Sequence, residues 1–180
     1  MTIKERYTGV LSLLAQEWPT ADSELHFENA YQLLVAVMLS AQCTDKRVNM
    51  VTPALFTAYP TVEQLAIASA DDVLQYIKSV SYPNSKSTHL VEMAKRVVEV
   101  YNGQIPNKRE ELQTLAGVGR KTANVICAVW WNQPTMAVDT HIFRVAERIG
   151  LTTNAKNPLE SEKQLIKHIP EDIIPKAHHW

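Results

Sequence analysis

The chain has 180 residues, of which 46% are hydrophobic and 21% charged, and its formal net charge is −1. This composition excludes an intrinsically disordered chain and a uniformly basic nucleic-acid coat, although a local basic face remains compatible with DNA binding. The first six residues lack the apolar core of a secretory signal, and the longest apolar run, at 33–39, is too short to span a bilayer. We therefore expect a soluble, intracellular and cytoplasmic protein with no membrane partner.

Apolar residues recur at helical spacing from the first segment of the chain onward. Residues 3–18 predict an amphipathic first helix that ends before Pro19. Asn29 is placed to cap a second helix, whose centre at 33–39 is apolar on every face and so predicts the buried centre of a bundle. Asp45 is placed to cap a third helix, which Pro53 is expected to kink or split.

Short polar segments divide the rest of the chain into further helices. Residues 85–102 predict a long amphipathic helix closed by Gly103. Four other helix starts are marked by pairs typical of N-termini: Thr61 with Gln64, Ser69 with Asp72, Asn107 with Glu110, and Asn157 before Pro158. No convincing strand pair, repeat or linker interrupts this pattern. The sequence therefore predicts an all-α fold of about ten helices in one compact body.

The segment 112–126 contains a sharp glycine turn between two helical patterns. One helix is predicted to end at Leu115, and a second helix to start near Arg120 after the turn Gly117-Val118-Gly119. Glycines allow a tight turn and a close approach of the backbone to a ligand, and N–H groups at a helix start bind phosphate. The sequence therefore predicts that this hairpin, including Arg120, grips the phosphates of one DNA strand. A plain corner between two helices is the alternative.

Two other glycine-containing motifs do not fit this segment. A dinucleotide-binding fingerprint follows a strand and needs a third glycine where this chain has Thr122. A P-loop needs a wider spacing between its first glycine and its Gly-Lys pair than Gly117 and Gly119 provide. The hairpin is therefore not expected to bind a nucleotide cofactor.

Lys121 is a candidate nucleophile because it falls in the first turn of the helix after the hairpin. A cation is unfavourable at a helix N-terminus, and the partial burial that we expect there also favours the neutral amine. A neutral lysine amine forms Schiff bases with carbon at the carbonyl level of oxidation. A direct phosphate contact by Lys121 is the alternative.

Asp139 is the second candidate catalytic residue. It follows an apolar, extended segment at 135–138 and precedes a helical pattern that ends at Gly150, so we expect it to be the N-cap of that helix. Backbone N–H groups hold a capping carboxylate rigidly. Asp139 is therefore suited to act electrostatically as well as structurally.

Four segments together resemble the endonuclease III family of the helix-hairpin-helix DNA glycosylase superfamily. They are 115–123 around the hairpin, 138–141 around Asp139, the Ser-Ala-Gln-Cys-Thr-Asp segment at 40–45 and the Asn-Ser-Lys segment at 84–86. The resemblance runs along essentially the whole chain. It implies a two-lobed helical fold, with a six-helix lobe at 23–133 and a second, C-terminally short lobe formed by 1–22 plus 134–180.

The resemblance also implies a bifunctional DNA N-glycosylase and abasic-site (AP) lyase that removes oxidised pyrimidines in base excision repair. Lys121 would attack C1′ of a flipped nucleotide, expel the base and hold the sugar as a Schiff base, and β-elimination would then cut the strand. Asp139 would stabilise the positive charge that builds on the sugar. The expected partner is double-stranded DNA with damaged or abasic sites, bound by a monomer, and the resemblance therefore also implies association with the nucleoid.

In the resembled family, two loops wedge into the duplex beside the extruded nucleotide. Gln42 matches the first loop. At the second loop this chain has Ser81-Tyr82-Pro83 where the family more often has a Gly-Leu-Tyr-like tripeptide, so Tyr82 is the expected wedge, with a surface turn residue as the alternative. The other residues expected on the DNA-binding surface are Lys86, Arg120 and His141, the last with a structural role as its alternative.

Family members commonly continue beyond a His-His-Trp like that at 178–180 into four cysteines that hold a 4Fe–4S cluster. This sequence has two distant cysteines, Cys43 and Cys127, so we expect free thiols, no metal site and no cofactor in this chain. Either the protein is naturally short or the sequence is a truncated piece, and we expect exposed apolar surface on the second lobe. The alternative function is therefore a catalytically impaired or non-enzymatic helix-hairpin-helix DNA-binding fragment.

Overall fold

A computed structural model describes residues 2–180 of the protein. Over these residues the chain folds into eleven α-helices and one 3-10 turn, with no β-strand, which confirms the predicted all-α fold. None of these helices combines the length and apolar character needed to cross a membrane. In chain order the elements are α1 (Ile3–Glu17), α2 (Ala30–Ser40), α3 (Asp45–Ala58), α4 (Val62–Ala66), α5 (Ala70–Ile77), α6 (Pro83–Tyr101), α7 (Arg109–Leu112), α8 (Arg120–Trp131), α9 (Thr140–Arg148), α10 (Pro158–His168), the 3-10 turn (Glu171–Ile173) and α11 (Ile174–Ala177).

The described chain divides into two compact units. The hairpin unit comprises Glu24–Ile126, and the terminal unit comprises the residues up to Ser23 together with Cys127–Trp180. This division falls inside α8. The lobe boundaries implied by the resemblance, 23–133 and 1–22 plus 134–180, stay a prediction.

Helix α2 lies at the centre of the hairpin unit. The side chain of its N-cap, Asn29, accepts a hydrogen bond from the Gln32 N–H at 2.9 Å, as predicted. All seven side chains at 33–39 are buried. Helices α3 and α6 pack against α2, and α6 also packs against α4 and α5. The run that is apolar on every face is therefore the buried centre of this unit, as expected.

The start and the middle of α3 differ from the prediction. The hydroxyl of Thr44, rather than the carboxylate of Asp45, caps this helix by accepting the Arg47 N–H at 3.3 Å. Asp45 is instead the first helical residue, where the free N–H groups favour a negative charge. The helix also continues through Pro53, so of the expected kink or split only the split is wrong, and the kink stays a prediction. Buried apolar side chains on both sides of the proline anchor the two halves.

Three other predicted helix starts are confirmed, and the fourth differs by one residue. Backbone N–H groups three residues further on donate hydrogen bonds to the side chains of Thr61, Ser69 and Asn157. Helix α7, however, begins at Arg109, one residue later than a cap at Asn107 would place it. The reason is that Lys108 still has an extended backbone, with φ −105° and ψ 134°.

Helix α6 begins two residues earlier than predicted and has left-handed residues at both ends. It follows Tyr82, whose φ is +53°, and Pro83 occupies its first position. At the other end, Asn102 (φ +52°) and Gly103 (φ +77°) close the helix, as the glycine predicts. The early start makes Tyr82 the N-cap of α6.

The terminal unit has its own apolar core around α1. The Tyr7 hydroxyl donates a hydrogen bond to the Leu151 carbonyl at 2.6 Å, and burial raises the pKa of this phenol to about 12. Arg6 donates to the Gly150 carbonyl at 3.0 Å, which ties α1 to the segment after α9. The buried members of this core are Tyr7, Met136, Val138, Ala146, Leu151, Leu165, Ile169, Ile174 and Ala177.

An apolar groove of about 270 Å³ opens on the terminal unit. Its walls include Val145 and Ile149, whose side chains remain 48% and 43% exposed, together with Trp180. The exposed apolar surface that was expected on this part of the chain is therefore present.

Candidate functional site

The turn between α7 and α8 is held by two apolar side chains. Helix α7 ends at Leu112, three residues before the predicted end, and the chain then continues in turns up to α8. The Val118 N–H donates to the Leu115 carbonyl at 3.1 Å, and both side chains are buried. This anchoring leaves the backbone of Gly117 and Gly119 at the surface. Helix α8 then begins at Arg120, as predicted.

The two glycines of the hairpin are required for different reasons. Gly117 has a left-handed backbone (φ +73°), and a Cβ atom there would lie 3.0 Å from the Cβ of His89. At Gly119, by contrast, an added Cβ would meet nothing within 4 Å. Folding therefore requires a glycine at 117, whereas the open backbone at 119 is free to approach a molecule outside the protein.

Lys121 is the second residue of α8, and its side chain is exposed. The expectation that it is partly buried is therefore wrong, because the hairpin buries Leu115 and Val118 instead. Its position in the first turn of the helix is as predicted. The amine is thus presented at the surface in the first turn of α8.

Asp45, which its place in the sequence marks only as a helix cap, is an electrostatic neighbour of Lys121 in the hairpin unit. Burial raises the pKa of the Asp45 carboxyl, the charge of Glu24 raises it further, and the charge of Lys121 opposes both effects. A half-buried carboxylate therefore lies within electrostatic range of the candidate nucleophile. The segment at 40–45 was the sequence signal that could have identified it.

Asp139 is the N-cap of α9 in the terminal unit, as predicted. Its Oδ1 atom accepts hydrogen bonds from the N–H groups of His141 at 2.9 Å and Ile142 at 2.8 Å. The three residues before it, 136–138, are buried, so the backbone is fixed on both sides of the carboxylate. The side chain of His141 is exposed, with its Nδ1 atom 3.5 Å from Arg144 Nη2.

Gln42 and Tyr82 line one pocket of about 220 Å³ in the hairpin unit. Both side chains are exposed, and both residues are left-handed, with φ +54° and +53°. The pocket therefore brings together four of the predicted site residues with neighbours from α2 and α6. Its full lining is Met38, Ala41, Gln42, Tyr82, Ser85, Lys86, His89 and Gly117.

Lys86 is buried beneath these loops rather than presented at the surface. Its side chain is 8% exposed, and desolvation lowers the pKa of its ammonium group. The Nζ atom donates to the carbonyls of Leu39 and Ala41, each at 2.7 Å, and to the Ser81 hydroxyl at 3.2 Å. Protein acceptors therefore already bind this cation. The buried position does not favour the predicted role of Lys86 in a basic surface that binds DNA phosphates.

The residues of this chain do not fit an iron–sulfur cluster. Such a cluster needs four ligands, usually thiolates, and the sequence contains two cysteines. Cys43 is half-buried in the hairpin unit and Cys127 is buried in the terminal unit, and neither forms a disulfide. Among residues 2–180, no three His, Cys, Asp or Glu side chains are grouped so that they could hold a metal ion.

The chain is similar to known proteins both in sequence and in fold. Residues 35–171 match the family model described as HhH-GPD superfamily base excision DNA repair protein. The chain is 43% identical to endonuclease III of Rickettsia felis over 95% of this chain and 80% of that protein. It is also similar to the solved structure of a trapped endonuclease III–DNA covalent intermediate and to that of a non-covalent endonuclease III–DNA complex. Each match has a TM-score of 0.94, with 39% and 38% identity, and each covers 99% of this chain and 84% of the other.

Proposed function

Because the chain belongs to the HhH-GPD superfamily of base excision DNA repair proteins, we propose that it is a bifunctional DNA glycosylase and AP lyase that removes oxidised pyrimidines from duplex DNA. The observation that carries this proposal is the exposed Lys121, directly after the hairpin, in a chain that resembles a covalently trapped endonuclease III–DNA intermediate over 99% of its length. The alternative, a non-enzymatic DNA-binding fragment, is not favoured, because 95% of the chain is similar to a relative named as an enzyme.

The proposed reaction uses Lys121 as an amine nucleophile. The target carbon is inaccessible in stacked DNA, so the nucleotide is first extruded from the duplex. The neutral Nζ atom then forms a bond to C1′ while the C1′–base bond breaks, and the base leaves with that electron pair and takes up a proton. The sugar ring opens to a protonated Schiff base. Loss of a 2′ proton then expels the 3′ phosphate and cuts the strand.

We assign Asp139 the electrostatic role in this reaction. A carboxylate held by two backbone N–H groups keeps its position while positive charge develops on the sugar, so little reorganisation is needed in the transition state. His141, exposed in the first turn of α9, is proposed to contact the DNA backbone beside it.

The hairpin and the pocket loops supply DNA binding in this proposal. The exposed backbone at Gly117 and Gly119 contacts phosphates of one strand, and Arg120 adds positive charge. Gln42 and Tyr82 enter the duplex, where the amide replaces lost base hydrogen bonds and the phenol ring stacks on a base. The protein is proposed to act as a monomer on double-stranded DNA with damaged or abasic sites.

The direct test of this function is borohydride trapping. The intact protein is incubated with a duplex that carries an oxidised pyrimidine or an abasic site, and borohydride is added to reduce the Schiff base. A covalent protein–DNA adduct and a β-elimination product are the expected results. Binding to the same duplex without any adduct would support the non-enzymatic alternative instead.

A pair of alanine substitutions tests the proposed contact between the hairpin backbone and the DNA phosphates. Gly119→Ala is expected to weaken binding to duplex DNA about 10-fold, because a Cβ there occupies the space of the approaching backbone. Its free energy of unfolding should fall by no more than about 1 kcal/mol, since the added methyl group meets no side chain or distant backbone within 4 Å and alanine is only a poorer N-cap than glycine. Fluorescence anisotropy with a duplex that carries a stable abasic analogue measures the affinity.

Gly117→Ala is the matched control for that experiment. Its left-handed backbone and its close approach to His89 predict a loss of about 1–3 kcal/mol in the free energy of unfolding. Urea denaturation of both variants separates the two effects. Equal stability losses at 117 and 119, or unchanged DNA affinity at 119, would contradict the assignment of Gly119 to the DNA contact.

A substitution at Asp45 tests the electrostatics around Lys121. Because burial raises the pKa of Asp45 in the folded state above its ordinary value of 3.8, the ionised carboxylate destabilises the folded protein. This destabilisation is fully present above the folded-state pKa and disappears as the pH falls below the ordinary value. Asp45→Asn is therefore expected to raise the free energy of unfolding at neutral pH, by an amount that shrinks towards pH 4.

Denaturation of the native protein and of Asp45→Asn, followed from pH 8 down to pH 4, measures that difference. Glu99→Gln, which removes an exposed carboxylate of α6, serves as the control and should give no comparable trend. A lower stability of Asp45→Asn at neutral pH would mean that the favourable charge at the start of α3 outweighs the cost of burial.

A further inference from the structure

Two loops of the hairpin unit have strained conformations that need an explanation. The Gln42 loop, residues 41–44, follows α2, and the Tyr82 loop, residues 79–82, precedes α6. Gln42 and Tyr82 are both left-handed without being glycine, at a cost of about 1–2 kcal/mol each. Their exposed side chains contribute little packing that would offset this cost. Other contacts of the two loops must therefore hold these conformations.

The Ser81 hydroxyl joins the two loops directly. Its Oγ atom lies 2.7 Å from the Gln42 carbonyl oxygen and 3.3 Å from that of Ala41, and the shorter contact is the better hydrogen bond. Because a hydroxyl also accepts, the same oxygen receives a hydrogen bond from Lys86 Nζ at 3.2 Å. One side chain of the Tyr82 loop thus donates to the backbone of the wedge candidate in the other loop.

Lys86 adds hydrogen bonds to both loops. An ammonium group has three hydrogens, and here each has an acceptor in the protein: the Leu39 carbonyl, the Ala41 carbonyl and the Ser81 hydroxyl. The first two lie at the C-terminal end of α2, where carbonyl groups lack helical partners and a cation is favourable. All three hydrogens of Lys86 are therefore used to hold the loops, and none is left for a DNA phosphate.

We propose that Ser81 and Lys86 form a clasp that sets the spacing of the Gln42 and Tyr82 loops, so that both wedge residues are preorganised for entry into duplex DNA. This proposal rests on the proposed function, and it makes Ser81 and Lys86 positioning residues rather than catalytic ones. Preorganised loops lose less conformational freedom on insertion, so more of the binding energy remains to extrude the nucleotide. The clasp should therefore matter for duplex substrates and not for single strands.

The test compares one abasic oligonucleotide as a duplex and as a single strand. In Ser81→Ala, the rate of borohydride trapping on the duplex is expected to fall about 3- to 10-fold, which is the range for loss of a neutral hydrogen bond. Trapping on the single strand, where no base pair has to be opened, should be unchanged. Ser79→Ala, which removes an exposed hydroxyl two residues earlier, is the control and should match the native protein on both substrates.

A second measurement reports on the conformation of the Gln42 loop. Cys43 lies half-buried in the Gln42 loop and Cys127 is buried, so a thiol reagent distinguishes local loosening from global unfolding. Ser81→Ala should speed the modification of Cys43 several-fold while leaving that of Cys127 unchanged. Lys86→Met is expected to have the larger effect on both readouts; if it does not fold, the Ser81→Ala results alone decide.

Different outcomes would overturn the clasp and the proposed function. Equal slowing on duplex and single strand, or native duplex rates in Ser81→Ala, would overturn the clasp. Absence of any adduct from the native protein on either substrate would instead overturn the glycosylase–lyase proposal. In that case the reactivity of Cys43 still tests the clasp, because that measurement needs no DNA chemistry.

Discussion

Replacing Lys121 with glutamine is expected to abolish both the borohydride adduct and the strand cleavage, lowering the trapping rate by at least about 10³-fold. A carboxamide has nearly the size of the lost side chain but no nucleophilic amine, so no Schiff base can form. Single-turnover trapping on an abasic duplex, followed by denaturing gel electrophoresis, measures the loss. The expected result is an intact strand and no covalent complex.

The same variant should remain folded and should still bind DNA. Since the Lys121 side chain is exposed, its loss should change the free energy of unfolding by less than about 0.5 kcal/mol. Affinity for a duplex with a stable abasic analogue should fall only modestly, because the hairpin backbone makes the proposed phosphate contacts. Lys78→Gln, an exposed lysine at the end of α5, is the control and should keep the full adduct.

An adduct that persists in Lys121→Gln would show that another amine is the nucleophile. A variant that binds poorly but still reacts at high protein concentration would assign Lys121 to a phosphate contact, which the sequence leaves as the alternative. The measurements of affinity and of trapping therefore distinguish the two roles of this residue. Neither role depends on the clasp at Ser81 and Lys86.

Helix starts in this chain could be predicted wherever the capping interaction is local. Asn29, Asp139 and Asn157 each accept a hydrogen bond from an N–H group within three residues, so the residue type and its place before a helical pattern contain the necessary information. The start of α3 shows the limit of this approach. Thr44 and Asp45 are adjacent and both are good caps, and only the fold decides between them.

The environment of a charged side chain could not be predicted in the same way. From the sequence, Lys86 is expected to be a surface cation. Its hydrogen-bond partners Leu39 and Ala41, however, lie 47 and 45 residues earlier in the chain. Lys121 shows the opposite error, since it was expected to be partly buried and is exposed. Helix position follows from neighbouring residues, whereas burial depends on which distant elements pack nearby.

Ser81 could not have been identified from its residue type alone. A serine before Tyr82 and Pro83 is typical of a surface turn, and its carbonyl partners lie 39 and 40 residues earlier in the chain. The resemblance supplied the two loops as candidate wedges, but it contained no information on how they are held. The connection between them becomes visible only when α2 and α6 are packed together.

Substitutions at Asp139 are expected to separate a helix cap from an electrostatic catalyst. Asp139→Asn should lower the single-turnover trapping rate by about 10²–10³-fold, because the carboxamide carries no charge to stabilise the developing cation. Asparagine is as good an N-cap as aspartate, so the hydrogen bonds to His141 and Ile142 can be kept. The free energy of unfolding should therefore change by only a few tenths of a kcal/mol.

Asp139→Ala removes the cap and the charge together. It should reduce catalysis as strongly as the asparagine variant and should also cost about 0.5–2 kcal/mol of stability, because the N–H groups at the start of α9 lose their acceptor. Urea denaturation and trapping are measured on both variants. Native activity in Asp139→Asn, with a loss only in Asp139→Ala, would mean that Asp139 acts by positioning α9. The negative charge that stabilises the cation on the sugar would then have to come from another group.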